Sequence, residues 1–332
     1  MSTGNTRLLE RLLADGLITV EVQEAALTGE SAPVAKDTKA LPPGDVALGD
    51  AERTLEQALF TAEAARDDVI AAKAATSLTY VVGYTLGRHR EAERWADLAN
   101  AILERLGPGH ERLRGWAMQN QSANAWAMGD FARASRLAEQ AVALKEASVG
   151  KDHPDVAISL SGLGLILKDN ERPADGLEVV NRAIAIFTNF GDPASRWLAD
   201  AHANRGEVLA ALGRVADAEA AFQHAIQLYE NQRLTPWDGF PFAGMGDLML
   251  RQHRPDAAIP FLERALEIRK QNHVHERLIA DVRFSLARAI WDSGGDKRRA
   301  VSLATAAREV YARYPRLDKE PTVSAWIADK IR

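Results

Sequence analysis

Few residues of this 332-residue chain are spaced for chemistry. His273 and His275 lie two apart with Glu276 beside them, the beginning of a metal-ligand set, but no third ligand follows at a spacing a metal site uses. His89-Arg90-Glu91 lacks the aspartate and downstream asparagine of a phosphoryl-transfer loop. Asp130-Phe131-Ala132 lacks the glycine that would complete a magnesium-binding triplet, and no glycine loop with a partnered lysine accompanies either. A Gly-x4-Gly-Lys-Ser/Thr phosphate loop and a Gly-x-Ser-x-Gly elbow are both missing, and Gly244-Met245-Gly246 has no third glycine. The chain has no cysteine, which excludes disulfides and thiolate chemistry. The expectation is a non-enzymatic protein with no cofactor and no metal.

The elements that would position any site are set by a beat of small residues. Ala99, Ala141, Ala183, Ala225, Ala265 and Ala307 follow at intervals of 42, 42, 42, 40 and 42 residues. Seven residues before each stands Ala92, Ala134, Gly176, Ala218, Ala258 or Ala300. Five residues earlier again come Gly87, Gly129, Glu171, Gly213, His253 and Gly295. A fixed period in this range marks a stacked array of one supersecondary unit. In the fourth unit Asp192-Pro193 opens helix A, which runs to about Ala211. Leu212-Gly213-Arg214 makes the turn, and helix B runs from about Val215 to Tyr229. Ala218, Phe222 and Ala225 share one face of that helix. His153-Pro154-Asp155 and Thr235-Pro236 open further helices A. Glu52 to Arg66 reads as a lone helix B ahead of the array, and Pro321 to Ile331 as a helix that covers its end.

Composition narrows the function classes. The apolar fraction is 46% and the net charge −5. Residues 1–50 carry four Lys/Arg against eight Asp/Glu, so the remainder is close to neutral and offers no basic stripe for nucleic acid. No apolar run reaches the length of a membrane span, and Met1 to Arg7 lacks an apolar signal core, so a cytoplasmic location is expected.

Gly206, Gly213, Ala218, Phe222 and Ala225 together resemble the tetratricopeptide repeat, with its small residue in helix A, turn glycine, and alanine, bulky residue and alanine in helix B. The 42-residue period and Gly150-Lys151-Asp152-His153-Pro154-Asp155-Val156-Ala157 are similar to the longer kinesin-light-chain variety. The resemblance spans residues 52–332 and implies an all-α, right-handed solenoid of about six helix pairs with a flanking half-repeat and a C-terminal capping helix. Gly176 and Glu171 depart from the pattern and weaken the third unit, and His253 replaces the turn glycine of the fifth.

In this family helix A lines a concave groove. Carried over by position, the groove residues are Tyr84 in the first unit, then Trp116, Gln119 and Trp126 in the second. The third supplies Lys168, the fourth Asp200 and Glu207, and the fifth Phe240, Asp247 and Arg251. Asn120 and Asn204 occupy one equivalent position, where a carboxamide can pair with the main chain of an extended peptide. Tryptophan and tyrosine supply large contact area with few rotors. Trp116 and Trp126 fit packing between neighbouring helices A as well, and Lys168, Asp200, Glu207 and Arg251 fit a solvated face. The implied partner is a protein or peptide, not nucleic acid or membrane.

Arg88-His89-Arg90-Glu91-Ala92 and Val282 to Asp292 resemble the C-terminal repeat regions of large bacterial serine/threonine protein kinases, which implies the detached regulatory tail of such an enzyme. Leu27-Thr28-Gly29-Glu30-Ser31-Ala32-Pro33 resembles the actuator-domain signature of P-type cation ATPases, a likeness that extends from about Leu12 to Asp50. In that family the glutamate, here Glu30, orients water against an aspartyl phosphate. The Asp-Lys-Thr-Gly site that would carry the phosphate is nowhere in the chain. Residues 1–50 are therefore expected to be a poorly ordered fragment, with Leu41-Pro42-Pro43-Gly44 as a non-helical linker to the solenoid of 51–332. Two alternatives stand beside the interaction module: an ATPase-derived component for cation transport, and an oligomerisation scaffold.

Overall fold

The computed structural model describes residues 44–191, 195–231, 239–271, 276–313 and 319–331. Glu30 with its Thr-Gly-Glu-Ser loop, Asp192-Pro193, Thr235-Pro236, His273 and His275 lie outside these residues. Every element among them is helical: α1 Gly44–Ala65, α2 Asp68–Tyr80 with a π-helical turn at Val81–Thr85, α3 His89–Leu106, α4 Glu111–Ala127 and α5 Phe131–Val149. There follow α6 Pro154–Asp169, α7 Pro173–Phe190, α8 Ser195–Ala211, α9 Val215–Asn231 and α10 Phe240–Arg251. The last four are α11 Pro255–Gln271, α12 Glu276–Asp292, α13 Lys297–Ala312 and α14 Glu320–Ile331. They fall into two compact units, Met1–Lys151 and Asp152–Arg332. The described part of the first holds α1 to α5; the second holds α6 to α14.

The beat of small residues is a set of interhelical seats. All six residues of the second alanine row are buried, and so are their partners seven residues earlier. In the second unit Phe222 of α9 lies over glycines on two helices A. A Cβ on Gly206 of α8 would come within 2.8 Å of its ring, and one on Gly244 of α10 within 2.5 Å. Leu262 of α11 fills the space left by Gly246 in the same way. Gly176 corrects the sequence reading. Rather than weakening the third pair, it allows the close approach of α7 to α6: a Cβ there would stand 2.7 Å from the Gly164 carbonyl oxygen. In the first unit Ser122 of α4 takes the helix-A seat and donates to the Ala134 carbonyl of α5 at 2.7 Å.

Each helix A ends on a residue in the left-handed region. Gly87, Gly129 and Gly213 hold it, and so do Glu171 at φ 59° and His253 at φ 55°. The turn keeps its shape where the glycine is lost, and the side chain carries the strain. The sixth turn falls on Gly294 at φ 77°, not on Gly295. The turn residue precedes the first helix-B small residue by six positions there instead of five, so counting back five from Ala300 stops one residue short.

The ends differ in how closely they follow the expectation. The capping helix α14 lays Val323 and Ile327 on Ala307, Val310 and Tyr311, and Trp326 meets Phe284 and Trp291 edge to face. At the other end α1 begins at Gly44, so Gly44 and Leu48-Gly49-Asp50 are helical, and Ala51, Leu55 and Leu59 join the first core.

His253→Gly and Glu171→Gly should each raise stability by about 0.5–1 kcal/mol, the relieved left-handed strain less the added freedom of the unfolded chain. Gly176→Ala should lower it by about 1–3 kcal/mol through overpacking. Urea denaturation of the three variants measures all of these.

Candidate functional site

The first unit turns most of its expected groove residues inward. Trp116 is only 7% exposed, and the Lys145 ammonium of α5 stands 3.0 Å from the centroid of its ring. The same Lys145 Nζ donates to Gln119 Oε1 at 2.7 Å. Lys145 is fully buried, and Gly115 makes room for its stem: a Cβ there would lie 2.8 Å from Lys145 Cγ. Asn120 donates to the Thr76 carbonyl of α2 at 2.9 Å. Trp116, Gln119 and Asn120 are thus joined to neighbouring helices.

Tyr84 and Trp126 come together as the sequence grouped them. Their rings stack at 6.1 Å and 14°, and Tyr80 stacks on Tyr84 at 5.1 Å and 24°. Both are half-buried. Tyr84 reaches this position on the π-helical turn, which closes against α4 at Gly83. A Cβ on Gly83 would collide with Asn124 Oδ1 at 2.4 Å, and that oxygen accepts from His89 Nδ1 at 2.9 Å.

The second unit gathers charge on its helices A. Lys168 Nζ at the end of α6 bonds Asp169 at 2.9 Å and lies 3.8 Å from Glu207 of α8. Burial pushes the Glu207 carboxyl above the usual carboxylate range; Lys168 and Arg251 oppose the shift and Asp247 adds to it. Burial likewise raises Asp247 of α10, against a hydrogen bond from Ser285 and the charges of Arg251 and Arg269. Arg251 itself is exposed at the end of α10. Asp200 accepts from the Tyr229 hydroxyl of α9, as Asp281 of α12 does from Tyr311 of α13 at 2.7 Å. Asn204 donates to the Ser161 hydroxyl at 2.9 Å and to its carbonyl at 3.2 Å. Phe240 starts α10, half-buried, after Gly239 at positive φ.

Lys168, Glu207, Asp247 and Arg251 therefore form one electrostatic group across α6, α8 and α10. Asp200 and Asn204 are joined to other helices of their unit. The sequence reading missed Lys145 and Arg269, although both fall in one periodic slot, four residues after the second alanine, shared with Leu103, Phe187, Tyr229 and Tyr311. All six are buried. The arrangement offers ion pairing and hydrogen bonding to a ligand. Among the described residues no group of three or more His, Asp or Glu is placed to hold a metal ion, and no helix is long and apolar enough to cross a membrane.

Comparison with known proteins agrees with the helical pairing. Residues 116–155 match one model of the tetratricopeptide repeat and residues 155–231 another. No curated protein matches the sequence. Among solved structures the chain is similar to a Rap protein complexed with competence and sporulation factor, at 11% identity over 98% of both chains and a TM-score of 0.55. It is also similar to a tetratricopeptide repeat protein from Parabacteroides merdae, at 13% identity, 96% and 99% coverage and a TM-score of 0.53. Tetratricopeptide-like repeats of a putative kinesin light chain from Podosopora anserina match 62% of this chain and 98% of theirs, at 17% identity and a TM-score of 0.45. The chain thus carries tetratricopeptide repeats, and the two longer matches share its fold.

Asn120→Ala and Asn204→Ala should each cost about 1–2 kcal/mol, because the partner on the neighbouring helix A loses its donor. Lys145→Leu, which installs the residue of Leu103, should be neutral or stabilising, since an apolar side chain replaces a buried charge. Thermal and urea melts of the three variants test both expectations.

Proposed function

We propose that the chain is a non-enzymatic interaction module that binds an extended segment of a partner protein along the helix-A face of its second unit. The observation that carries this reading is the group formed by Lys168, Glu207, Asp247 and Arg251. Two carboxylates on successive helices A are held above their usual range by burial, with cations on either side. Desolvated carboxylates cost stability unless something pairs with them. A peptide laid across α6, α8 and α10 supplies backbone amides and side-chain donors to that end. Tetratricopeptide repeats generally mediate protein–protein contacts, and the Rap protein of similar fold is complexed with competence and sporulation factor, which supports the class of partner.

The finer setting, the detached tail of a protein kinase, draws on residues 88–92 and 282–292. Ala92, Val282, Leu286, Ala287, Ala289 and Ile290 of those segments are buried in the helix pairs. Packing alone accounts for them, so the interaction reading stands without a kinase.

The test is a displayed library of random extended peptides selected on the whole chain. Glu207→Gln should leave the melting temperature unchanged or raise it, and Arg251→Glu should leave it unchanged. Each should weaken the selected peptides at least fivefold by calorimetry. Equal affinity for both variants and the parent chain would remove the helix-A face from the reading.

A further inference from the structure

The fourth helix pair differs from its neighbours at two seats. His202 and Arg205 lie on one side of α8, at the positions that the third pair fills with Leu160 and Leu163 and the fifth with Phe242 and Met245. Leu160, Leu163 and Met245 are buried, at 2%, 4% and 3% exposure. Two bases therefore stand where the repeat pattern asks for hydrocarbon. His202 meets His224 of α9, their rings 4.3 Å apart and edge to face at 70°. His224 is exposed, and His202 and Arg205 are partly buried, so the pair opens to solvent at one edge. Arg205 Nε is buried and has no hydrogen-bond partner among the described residues.

We propose that His202, Arg205 and His224 form a binding site for an oxyanion, a phosphate or carboxylate group, in the α8–α9 pair. A buried guanidinium N–H without an acceptor is costly, and an oxyanion supplies that acceptor together with a countercharge. The titratable groups acting on His202 are His224 from α9 and Arg205 on its own helix; from α6, α7 and α10 none does, among the described residues. All three members of the cluster are bases. The carboxylates nearest in sequence are engaged elsewhere, Asp200 by the Tyr229 hydroxyl and Glu207 by Lys168. Burial first, then the positive charges of His224 and Arg205, push His202 down to about 4. An anion reverses the electrostatic part of that shift, so its binding takes up protons and strengthens as pH falls. The site owes nothing to the peptide face and stands or falls apart from it.

The experiment titrates the whole chain with sodium sulfate, whose charge is constant between pH 8 and 5.5, against sodium chloride at matched ionic strength. Histidine ring signals are followed by NMR, and inorganic phosphate binding by calorimetry at pH 6. Sulfate should raise the midpoints of His202 and His224 where chloride does not, and its affinity should increase at least threefold from pH 7.5 to 6. Arg205→Leu installs the residue of the third pair, so it should melt at or above the parent temperature while losing at least tenfold in phosphate affinity. A phosphoserine peptide runs beside inorganic phosphate: tighter binding of the peptide assigns the anion to a partner's side chain, and equal binding assigns it to a free ion. Unmoved histidine midpoints in sulfate, or phosphate binding by Arg205→Leu equal to that of the parent chain, would overturn the site.

Discussion

Everything in the second unit depends on how close two helices A can come to the side chain wedged between them. Phe222 reaches from helix B of the fourth pair to two glycines, one on its own helix A and one on the next. A single ring thereby ties the pair together and ties that pair to its successor. Truncating a buried phenylalanine typically costs about 3–5 kcal/mol, a large share of a domain's net stability. Seat and wedge vary together along the chain. Val180 lies against Gly164 and Leu262 against Gly246, whereas the first unit has Ala138 at the wedge position and the larger Ser122 at the seat. Where the wedge is smallest the seat is larger, as close packing requires.

The slot four residues past the second alanine shows how one buried position accommodates different chemistry. Phe187 and Leu103 need nothing but contact. Tyr229 and Tyr311 each give their hydroxyl proton to an aspartate on helix A, which fixes that carboxylate. Lys145 rests its ammonium on the face of Trp116 and bonds Gln119, and Arg269 bonds the Leu278 carbonyl. A buried cation is tolerated where an aromatic face or oriented dipoles replace water. The tryptophan that looked made for a ligand is thus part of the solvation of a lysine.

These cases mark where the sequence was legible. The pairing of helices was, because six pairs of small residues repeat in phase and small residues have one use at such spacing. The turns were legible to within a residue; Gly294 was missed because the last turn is one residue longer than the alanine spacing implies. The placement of Trp116, Gln119, Asn120 and Asn204 on helices A was legible too, but the direction of their side chains was not. Whether Asn120 faces a ligand or the Thr76 carbonyl is decided by a helix 44 residues away in sequence. Lys145 bonds Gln119 across 26 residues, beyond any local pattern. The start of α1 was misplaced because proline and glycine at 42–44 read as a linker, whereas glycine opens the helix.

A comparison with the second and third pairs bears on the proposed face. At the helix-A position of Glu207 and Asp247, the second and third pairs carry Ala123 and Leu165. The fold therefore accepts small or apolar side chains there, and packing alone gives no reason for carboxylates. Burial disfavours their charged forms, and Lys168, already shared with Asp169, opposes that effect at Glu207. Trp116, Gln119, Asn120 and Asn204 argue the other way: each already has a partner within its own unit. The division falls between side chains that packing within the unit explains and the two carboxylates that it does not, and only the second kind supports the proposed face.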